Sequence, residues 1–325
     1  MDMHFDSTRT RRILHGGTWL IATFFVVVLV RSVDVGRVWA LGQETRGGWV
    51  AIAVASNLLI LPLWAQQWRI LLPPSSHVPP KRMLSLAAQL SFLGNTVPAS
   101  GQVSAVILLG REPGVTPGAA LSALALEQVT EGLVKVGILL LAAELLPLPG
   151  WMHRAFFALA LAVAGLTAGV ATAAFHHKRI TALSARPGAH PLLDRLIALV
   201  ARWSRELESL RRPSRFALAL VCSAGTKAAE GFAIVAVQHA FGLALPMSTT
   251  VLVLAAAILG TIAPLAPANL GIFEGAVVAA YRHAGLPAET ALALAVVEHS
   301  CLLLGTAAVG YVVFSVSRFA GARAA

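Results

Sequence analysis

The chain has 325 residues, of which 57% are hydrophobic and only 12% are charged, and its formal net charge is +10. A soluble domain carries roughly 25% charged residues, so this composition excludes a water-soluble globular protein and favours one membrane domain over residues 1–325. The positive charge does not indicate nucleic-acid binding, because 18 of the 25 Lys and Arg fall in segments that the topology below assigns to one membrane face.

Six apolar segments are long enough to cross a bilayer as helices, each of which needs about 20 mostly apolar residues. The first segment follows Arg9, Arg11 and Arg12. It is predicted to be a retained span rather than a cleaved signal peptide, because Arg31, Asp34 and Arg37 stand between its apolar run and the cleavage-like site Val38–Ala40. The six predicted spans are 17–33, 49–72, 119–146, 151–174, 216–241 and 289–317.

Two further apolar regions, 83–109 and 250–281, are interrupted in their middle. The interruptions contain Pro, Gly and Asn, which free backbone polar groups that lipid cannot satisfy, so these groups must face protein or a water-filled cavity. We therefore predict two re-entrant helical hairpins, with a single kinked span in each region as the alternative. The predicted break residues are Asn95, Pro98 and Gly101 in the first hairpin and Pro267, Asn269 and Gly271 in the second.

Basic residues decide between these alternatives, since cytoplasmic segments of membrane proteins are enriched in Lys and Arg. The segment 176–215 holds nine of them, and it shares a face with the Arg-bearing N-terminus only if each broken region crosses an even number of times. The predicted topology places both termini and this basic loop in the cytoplasm, in a bacterial inner membrane. An amphipathic pattern in the loop predicts a surface helix on anionic lipid, with a solvated connector as the alternative.

Two parts of the chain match each other at a constant offset of 171 residues. The alignment of Arg111–Gln128 with Arg282–His299 pairs Arg with Arg, Gly with Gly, and Glu127 with Glu298. The two breaks fall just upstream of the matching segments. This pattern predicts an internal repeat.

The repeat defines two units, 49–146 and 216–317, which run in opposite directions through the membrane in the predicted topology. The predicted fold class is therefore an all-α polytopic membrane protein built as an inverted repeat of helical units with two re-entrant hairpins. Paired broken segments in inverted halves mark the binding site in many transporters.

Ionisable residues inside the apolar segments are candidates for function, since a charge at the bilayer centre costs about 2.5–3.5 kcal/mol on insertion scales. Glu131 and Lys135 share a helix face at i, i+4, and Lys227 and Glu230 do so at i, i+3. Each couple forms either a structural ion pair or part of a substrate pathway. An unpaired buried carboxylate carries a proton or meets a cationic head group. The predicted pathway residues are Glu127, Glu131, Lys135, Lys227, Glu230, Glu274, Glu298 and His299.

Enzyme signatures are missing from the sequence, which has no HExxH or DxD motif, no GxSG nucleophile and no His spacing that suits a metal. The two cysteines, Cys222 and Cys301, lie in apolar stretches and are predicted to be small core residues. We therefore expect a protein that is not an enzyme and that holds neither metal nor cofactor.

Four segments of the chain are similar to a known family: Leu90–Gly101, Ala125–Gln128, Pro267–Ala276 and Ala284–Pro287. The most specific part of the similarity is the P-x-x-x-G-x-x-E block in the third segment. They resemble the transmembrane region of the lysylphosphatidylglycerol synthase family, the MprF-like flippases, over roughly residues 49–315. The chain is expected to be a stand-alone member without the synthase domain. The resemblance implies translocation of a lipid between leaflets.

Two arginines of the family pattern are replaced in this chain, one by Ala105 after the first break and one by Gln128 beside Glu127. Arginine is the natural partner of a lipid phosphate, so the substitutions favour a hopanoid or other isoprenoid lipid over aminoacylated phosphatidylglycerol, with another phospholipid left open. The predicted function is a lipid translocator whose partner is membrane lipid, and its oligomeric state is left open. The alternatives are a non-transporting scaffold for a lipid-synthesis enzyme and an intramembrane lipid-modifying enzyme.

Overall fold

Every regular element in the described part of the chain is a helix, in agreement with the predicted all-α class. The computed structural model describes residues 34–74, 76–96, 100–176, 212–262 and 265–324, together with Val27, Lys178, Ala182, Ser204 and Leu207. The helices are α1 Val35–Gln43, α2 Gly47–Leu58, α3 Ile60–Leu71, α4 Pro80–Thr96, α5 Ser100–Leu109, α6 Pro117–Leu145, α7 Gly150–Phe175, α8 Pro213–Ala240, α9 Met247–Thr261, α10 Ile272–His283, α11 Ala288–Leu303 and α12 Val309–Ala324. A 3₁₀ turn, Pro267–Asn269, precedes α10, and a π-helical turn, Leu304–Ala308, joins α11 to α12.

Among the described residues, four helical stretches are long and apolar enough to cross a membrane, and they match four of the six predicted spans. The predicted span 119–146 is present as α6, but its ionisable side chains keep it outside this set. The predicted span 17–33 falls almost entirely outside the described residues. The four stretches are Gly47–Leu71, Gly150–Phe175, Pro213–Ala240 and Ala288–Val316.

The first of these stretches is irregular at Leu59, where α2 ends and α3 begins. Pro62 has no amide hydrogen, and its ring clashes with the carbonyl group of the residue four positions earlier, so a regular helix cannot run through Leu58. The amide of Leu59 bonds instead to the carbonyl oxygen of Ser56 at 3.1 Å. Trp64, which follows on α3, lines the main cavity described below.

The first broken region forms a helical hairpin of α4 and α5. A Cβ atom on Gly94 would lie 3.6 Å from the Cα of Gly101, whereas a continuous helix separates residues seven apart by about 10.5 Å. At the other end of the hairpin, Arg82 donates hydrogen bonds of 2.9 and 2.7 Å to Oε1 of Glu112, and this bonding raises the pKa of Arg82. The chain therefore reverses at this break; that the hairpin is re-entrant stays a prediction.

The second broken region forms a hairpin of α9 and α10. The two helices approach closely, since a Cβ atom on Gly260 would lie 2.8 Å from the Cβ of Ala276. Thr250, near the start of α9, and Tyr281, near the end of α10, both hydrogen-bond to Gln238 of α8. The outer ends of this hairpin therefore lie together, and its re-entrant position in the membrane is likewise a prediction.

The turn between α9 and α10 contains left-handed backbone. Ala268 and Asn269 have φ values of 50° and 54°, and Gly271 has a φ of 81°. This conformation costs an L-residue roughly 1–2 kcal/mol, whereas glycine adopts it freely. Because local backbone strain persists only where surrounding contacts hold it, this turn marks a candidate functional position.

The two hairpins contact each other, because the turn Pro267–Asn269 packs against α4. α8 packs along both α2 and α3 and so joins the predicted units 49–146 and 216–317. In each unit a long apolar stretch is followed by a hairpin and then by another long helix. The order of elements thus agrees with a repeat, and the opposite orientation of the units stays a prediction.

Most of the predicted basic loop, 176–215, lies outside the described residues, and so does most of its predicted amphipathic helix. Leu207, one of the described residues of the loop, is fully buried in a core cluster with side chains of α3, α4, α6 and α7. At this position the loop packs against the membrane domain.

Candidate functional site

A cavity of about 380 Å³, called the main cavity below, is lined by residues of α3, α4, α5, α6, α8, α9 and α11. Both broken regions contribute to it. Gly94, Asn95 and Gly101 come from the first break, and Thr261 and Ile262 come from the end of α9. The other polar or ionisable lining residues are Trp64, Gln67, Trp68, Ser91, Gln102, Glu127, Gln128, Glu131, Lys135, Thr226, Lys227, Glu230 and Thr306.

Four of the predicted pathway residues form a chain of ion pairs along the main cavity. Nζ of Lys135 lies 2.8 Å from Oε1 of Glu131, one helical turn before it on α6. Nζ of Lys227 lies 2.7 Å from Oε1 of Glu230 and 3.9 Å from Oε1 of Glu131. The predicted pairings within α6 and within α8 are therefore confirmed, and Lys227 also links the two helices.

Glu127 lies one turn before Glu131 on α6 and is bound by neutral donors. The indole N–H of Trp64 donates to Oε1 at 2.9 Å, and the side-chain amide of Gln128 donates to Oε2 at 3.1 Å. Glu127 is 5% exposed. No ion-pair partner of this carboxyl group is found among the described residues. Neither nearby ammonium group therefore neutralises its charge directly.

The ionisable lining of the main cavity carries a formal charge of −1, from the carboxylates of Glu127, Glu131 and Glu230 and the ammonium groups of Lys135 and Lys227. The described lining contains no arginine. Removing a charge from water costs several kcal/mol, and pairing offsets that cost for the four ion-paired groups. A hydrogen-bond donor or cation beside Glu127 would therefore be stabilised.

Gln67 connects three helices behind the charged cluster. Its side-chain amide donates to Oγ1 of Thr130 on α6 at 2.9 Å and to Oγ of Ser223 on α8 at 2.8 Å. Trp64 and Trp68 pack edge to face on the same helix, with ring centroids 5.2 Å apart. These residues were not predicted, although Gln67 on an otherwise apolar span was a signal that an internal polar partner exists.

Glu298 belongs to a separate buried network. The hydroxyl group of Tyr281 donates to Oε1 of Glu298 and accepts a hydrogen bond of 3.1 Å from the amide of Gln238. The side-chain oxygen of Gln238 accepts in turn from Thr250 at 3.1 Å. Tyr281, Gln238 and Thr250 were not predicted, because their convergence depends on the packing of α8 against the second hairpin.

A second, much smaller cavity of about 30 Å³, called the small chamber, lies beside Glu298. Glu230 and Leu302 line both this chamber and the main cavity, so they form the boundary between the two. The chamber is otherwise lined by Asn57, Ala233, Ile234, Val237, Leu254, Ala257, Phe273 and Cys301.

Glu274 and His299 pair with each other and belong to the described lining of neither cavity. Nδ1 of His299 lies 2.7 Å from Oε1 of Glu274, and the amide of Gly271 donates to Oε2 at 2.7 Å. The imidazole ring stacks on Phe273 with centroids 4.4 Å apart. These contacts attach the left-handed turn and the start of α10 to α11.

The predicted break residues occupy different positions. Asn95 and Gly101 line the main cavity, and the side-chain amide of Asn95 donates to the carbonyl oxygen of Ser91 at 2.8 Å. Pro98 lies outside the described residues, and Pro267, Asn269 and Gly271 form the turn before α10.

The two cysteines are both free and buried, which confirms their prediction as core residues. Among the described residues, no group of three or more His, Cys, Asp or Glu is arranged to hold a metal ion.

Comparison with known proteins identifies one family. No curated protein and no solved structure matches this chain. The family model described as the lysylphosphatidylglycerol synthase TM region matches residues 18–310, which include both hairpins and both cavities. This match confirms the resemblance found in the sequence and indicates a membrane protein in lipid metabolism or transport. The chain therefore belongs to the lysylphosphatidylglycerol synthase transmembrane-region family.

Proposed function

We propose that the protein translocates a lipid between the two leaflets of a bacterial inner membrane, with the lipid head group passing through the main cavity. The main support for the proposal is a charged cavity of about 380 Å³ that adjoins both helix breaks. Small-molecule sites usually occupy about 300–1,000 Å³. This volume suits a head group, while the hydrocarbon tail stays in the bilayer.

The lining favours a neutral or cationic head group. Its formal charge is −1 and its described part contains no arginine, so a lipid phosphate has no bidentate partner there. Glu127 and Gln128 offer acceptors to hydroxyl or ammonium groups. A hydroxylated hopanoid or another isoprenoid lipid fits these groups best, and a phospholipid with a less anionic head group is the next candidate.

Access from both sides of the membrane requires that the two hairpins be inverted relative to each other. If the two units are opposed, the first hairpin enters from the cytoplasm and the second from the other face, and each break gates one side of the main cavity. Both termini and the basic loop would then lie in the cytoplasm, where the loop binds anionic lipid. The exposed apolar faces of the helices contact membrane lipid, as Phe157 and Leu161 of α7 illustrate at 67% and 76% exposure.

A leaflet-resolved assay tests the proposal. The protein is reconstituted in vesicles that contain a hopanoid polyol, and added periodate oxidises only the outer-leaflet diols. A parallel set of vesicles carries a fluorescent phospholipid read out by dithionite. We expect wild-type protein to move one of these lipids and Glu127→Gln to slow that movement about tenfold, the effect of losing one charge-assisted hydrogen bond of about 1.4 kcal/mol.

Glu144→Gln is the matched control, because Glu144 lies on the same helix but is exposed. Equal transport by Glu127→Gln and Glu144→Gln would remove Glu127 from the pathway. A lipid product of altered mass would favour the enzyme alternative. Absence of transport with either lipid, combined with a loss of cellular function when 180–210 is deleted, would favour the scaffold.

A further inference from the structure

The two carboxyl oxygens of Glu298 have different environments. Oε1 accepts a hydrogen bond from Tyr281, whereas Oε2 is buried and has no hydrogen-bond partner in the described part of the chain. An ionised oxygen left without a donor in a buried site costs several kcal/mol. A protonated carboxyl group avoids most of that cost, because only a neutral hydroxyl then needs a partner.

The small chamber, which Glu298 helps to line, is the candidate space for that partner. Its volume of about 30 Å³ accommodates one water molecule, which needs at least about 10–15 Å³ and two to four polar neighbours. Its polar lining residues are Glu298, Glu230 and Asn57, on α11, α8 and α2. The remainder of the lining is apolar apart from the thiol of Cys301, so a water molecule in the chamber has its polar side-chain neighbours among these residues.

No cation among the described residues lies within ion-pair distance of Glu298, so proton binding is its available means of neutralisation. α2 and α9 bring no titratable side chain to the small chamber, and Arg37 of α1 is exposed. The titratable groups that surround Glu298 are Tyr281 and the His299-bound Glu274 on α10, the Lys227-bound Glu230 on α8, and Cys301 and His299 on α11 itself.

We propose that Glu298 is a proton-binding site and that it exchanges protons with Glu230 through a water molecule in the small chamber. The water accepts the proton from Oε2 of Glu298 and passes one of its own protons to Glu230, so that one carboxyl group is ionised as the other is neutralised. A neutral Glu230 releases Lys227, whose Nζ lies 2.7 Å from it, toward Glu131 in the main cavity. Proton binding at Glu298 thereby couples the proton gradient to lipid translocation. This coupling, unlike the proton site itself, rests on the proposed function.

Infrared difference spectroscopy tests the proton site without any transported lipid. The full chain is reconstituted in vesicles of equal parts phosphatidylethanolamine and phosphatidylglycerol, and spectra are recorded as pH is stepped in H₂O and D₂O. We expect the carbonyl stretch of a protonated carboxyl group that titrates and shifts in D₂O. Glu298→Gln should abolish this component, and Glu144→Gln should leave it intact.

A band that survives in Glu298→Gln overturns the proposal. If Glu298→Gln does not fold, the wild-type spectrum still decides, because the absence of any protonated-carboxyl band also overturns it. A third variant tests the relay: Ala257→Val narrows the chamber and should slow hydrogen–deuterium exchange of the band, whereas unchanged exchange contradicts a water relay.

Transport in vesicles of the same composition, supplemented with the hopanoid polyol, separates this proposal from the proposed function. A gradient of one pH unit should shift the leaflet ratio by about tenfold if one proton is coupled, and Glu298→Gln should abolish that shift. Gradient-dependent transport in Glu298→Gln contradicts the coupling. A Glu298 band in vesicles without wild-type transport supports the proton site and contradicts the translocator instead.

Discussion

The described residues include two groups of buried or half-buried carboxylates that are stabilised in different ways. In the main cavity, Glu131 and Glu230 are paired with lysines on α6 and α8. Around the second hairpin, Glu298 receives a hydrogen bond from Tyr281 and has no cationic partner in the described residues. Glu131 and Glu230 therefore depend on opposite charges, whereas Glu298 depends on a neutral donor and on its own protonation state.

Under the proposed function, the two kinds of carboxylate have different roles. Ion pairs that border a cavity of about 380 Å³ can exchange partners with a charged or polar head group. A carboxyl group beside a chamber of about 30 Å³ is accessible to little more than water and protons. The following substitutions test whether the two groups differ as described.

The largest loss of stability is expected for Lys227→Met. The substitution leaves Glu230 without its partner at 2.7 Å and removes the more distant contact with Glu131. Breaking one side of a buried ion pair costs about 3–5 kcal/mol, and the partial exposure of these groups places the loss near the lower end. Unfolding by SDS titration in mixed micelles measures it.

Two further variants control for volume and charge. Lys227→Arg retains the positive charge and should lose much less stability. The double variant Lys227→Met with Glu230→Met removes both charges of the closer pair and should recover part of the loss. If Lys227→Met proves as stable as wild type, the ion pairs of the main cavity do not support the fold.

An intermediate loss is expected for Tyr281→Phe. Removal of the hydroxyl group leaves Oε1 of Glu298 without a donor and the amide of Gln238 without an acceptor. An unsatisfied buried polar group costs about 1–3 kcal/mol. Tyr311→Phe is the matched control, since Tyr311 is 57% exposed. Similar SDS unfolding for both variants would show that the second network is not rigidly formed.

The smallest effect on stability is expected for Glu298→Gln. The amide retains an acceptor for Tyr281, and no cation is left unpaired by the loss of the carboxylate. The free energy of unfolding should change by less than about 1 kcal/mol, within the range of a single neutral hydrogen bond. A loss as large as that of Lys227→Met would indicate that Glu298 is ionised and electrostatically paired, contrary to this account.

The sequence predicted those parts of the site that follow from spacing along one helix. Glu131 with Lys135 and Lys227 with Glu230 are pairs at i, i+4 and i, i+3, which any regular helix places on one face. The four apolar stretches were also recognised to within a few residues, because their length and composition are local properties.

Contacts between helices could not be predicted in this way, because the rotation and register of packed helices depend on tertiary structure. The sequence left Glu274 without a partner, whereas the fold brings His299 to it from 25 residues away. The indole of Trp64 and the carboxyl group of Glu127 are 63 residues apart in the chain. The nine-residue helix α1 was missed because it is too short for a span and is capped by Asp34, which reads as part of a loop.

In the proposed mechanism the two breaks open one cavity to opposite sides of the membrane, and site-directed thiol labelling can determine the side to which each break is open. Thr96 and Leu265 are exposed residues at the first and second breaks. Each is replaced by cysteine in a background with Cys222→Ala and Cys301→Ala, and an impermeant thiol reagent is applied to right-side-out and inverted vesicles. We expect Thr96→Cys to be labelled only from the cytoplasmic face and Leu265→Cys only from the opposite face. Labelling of both positions from the same face would contradict the inverted arrangement and the proposed translocation route.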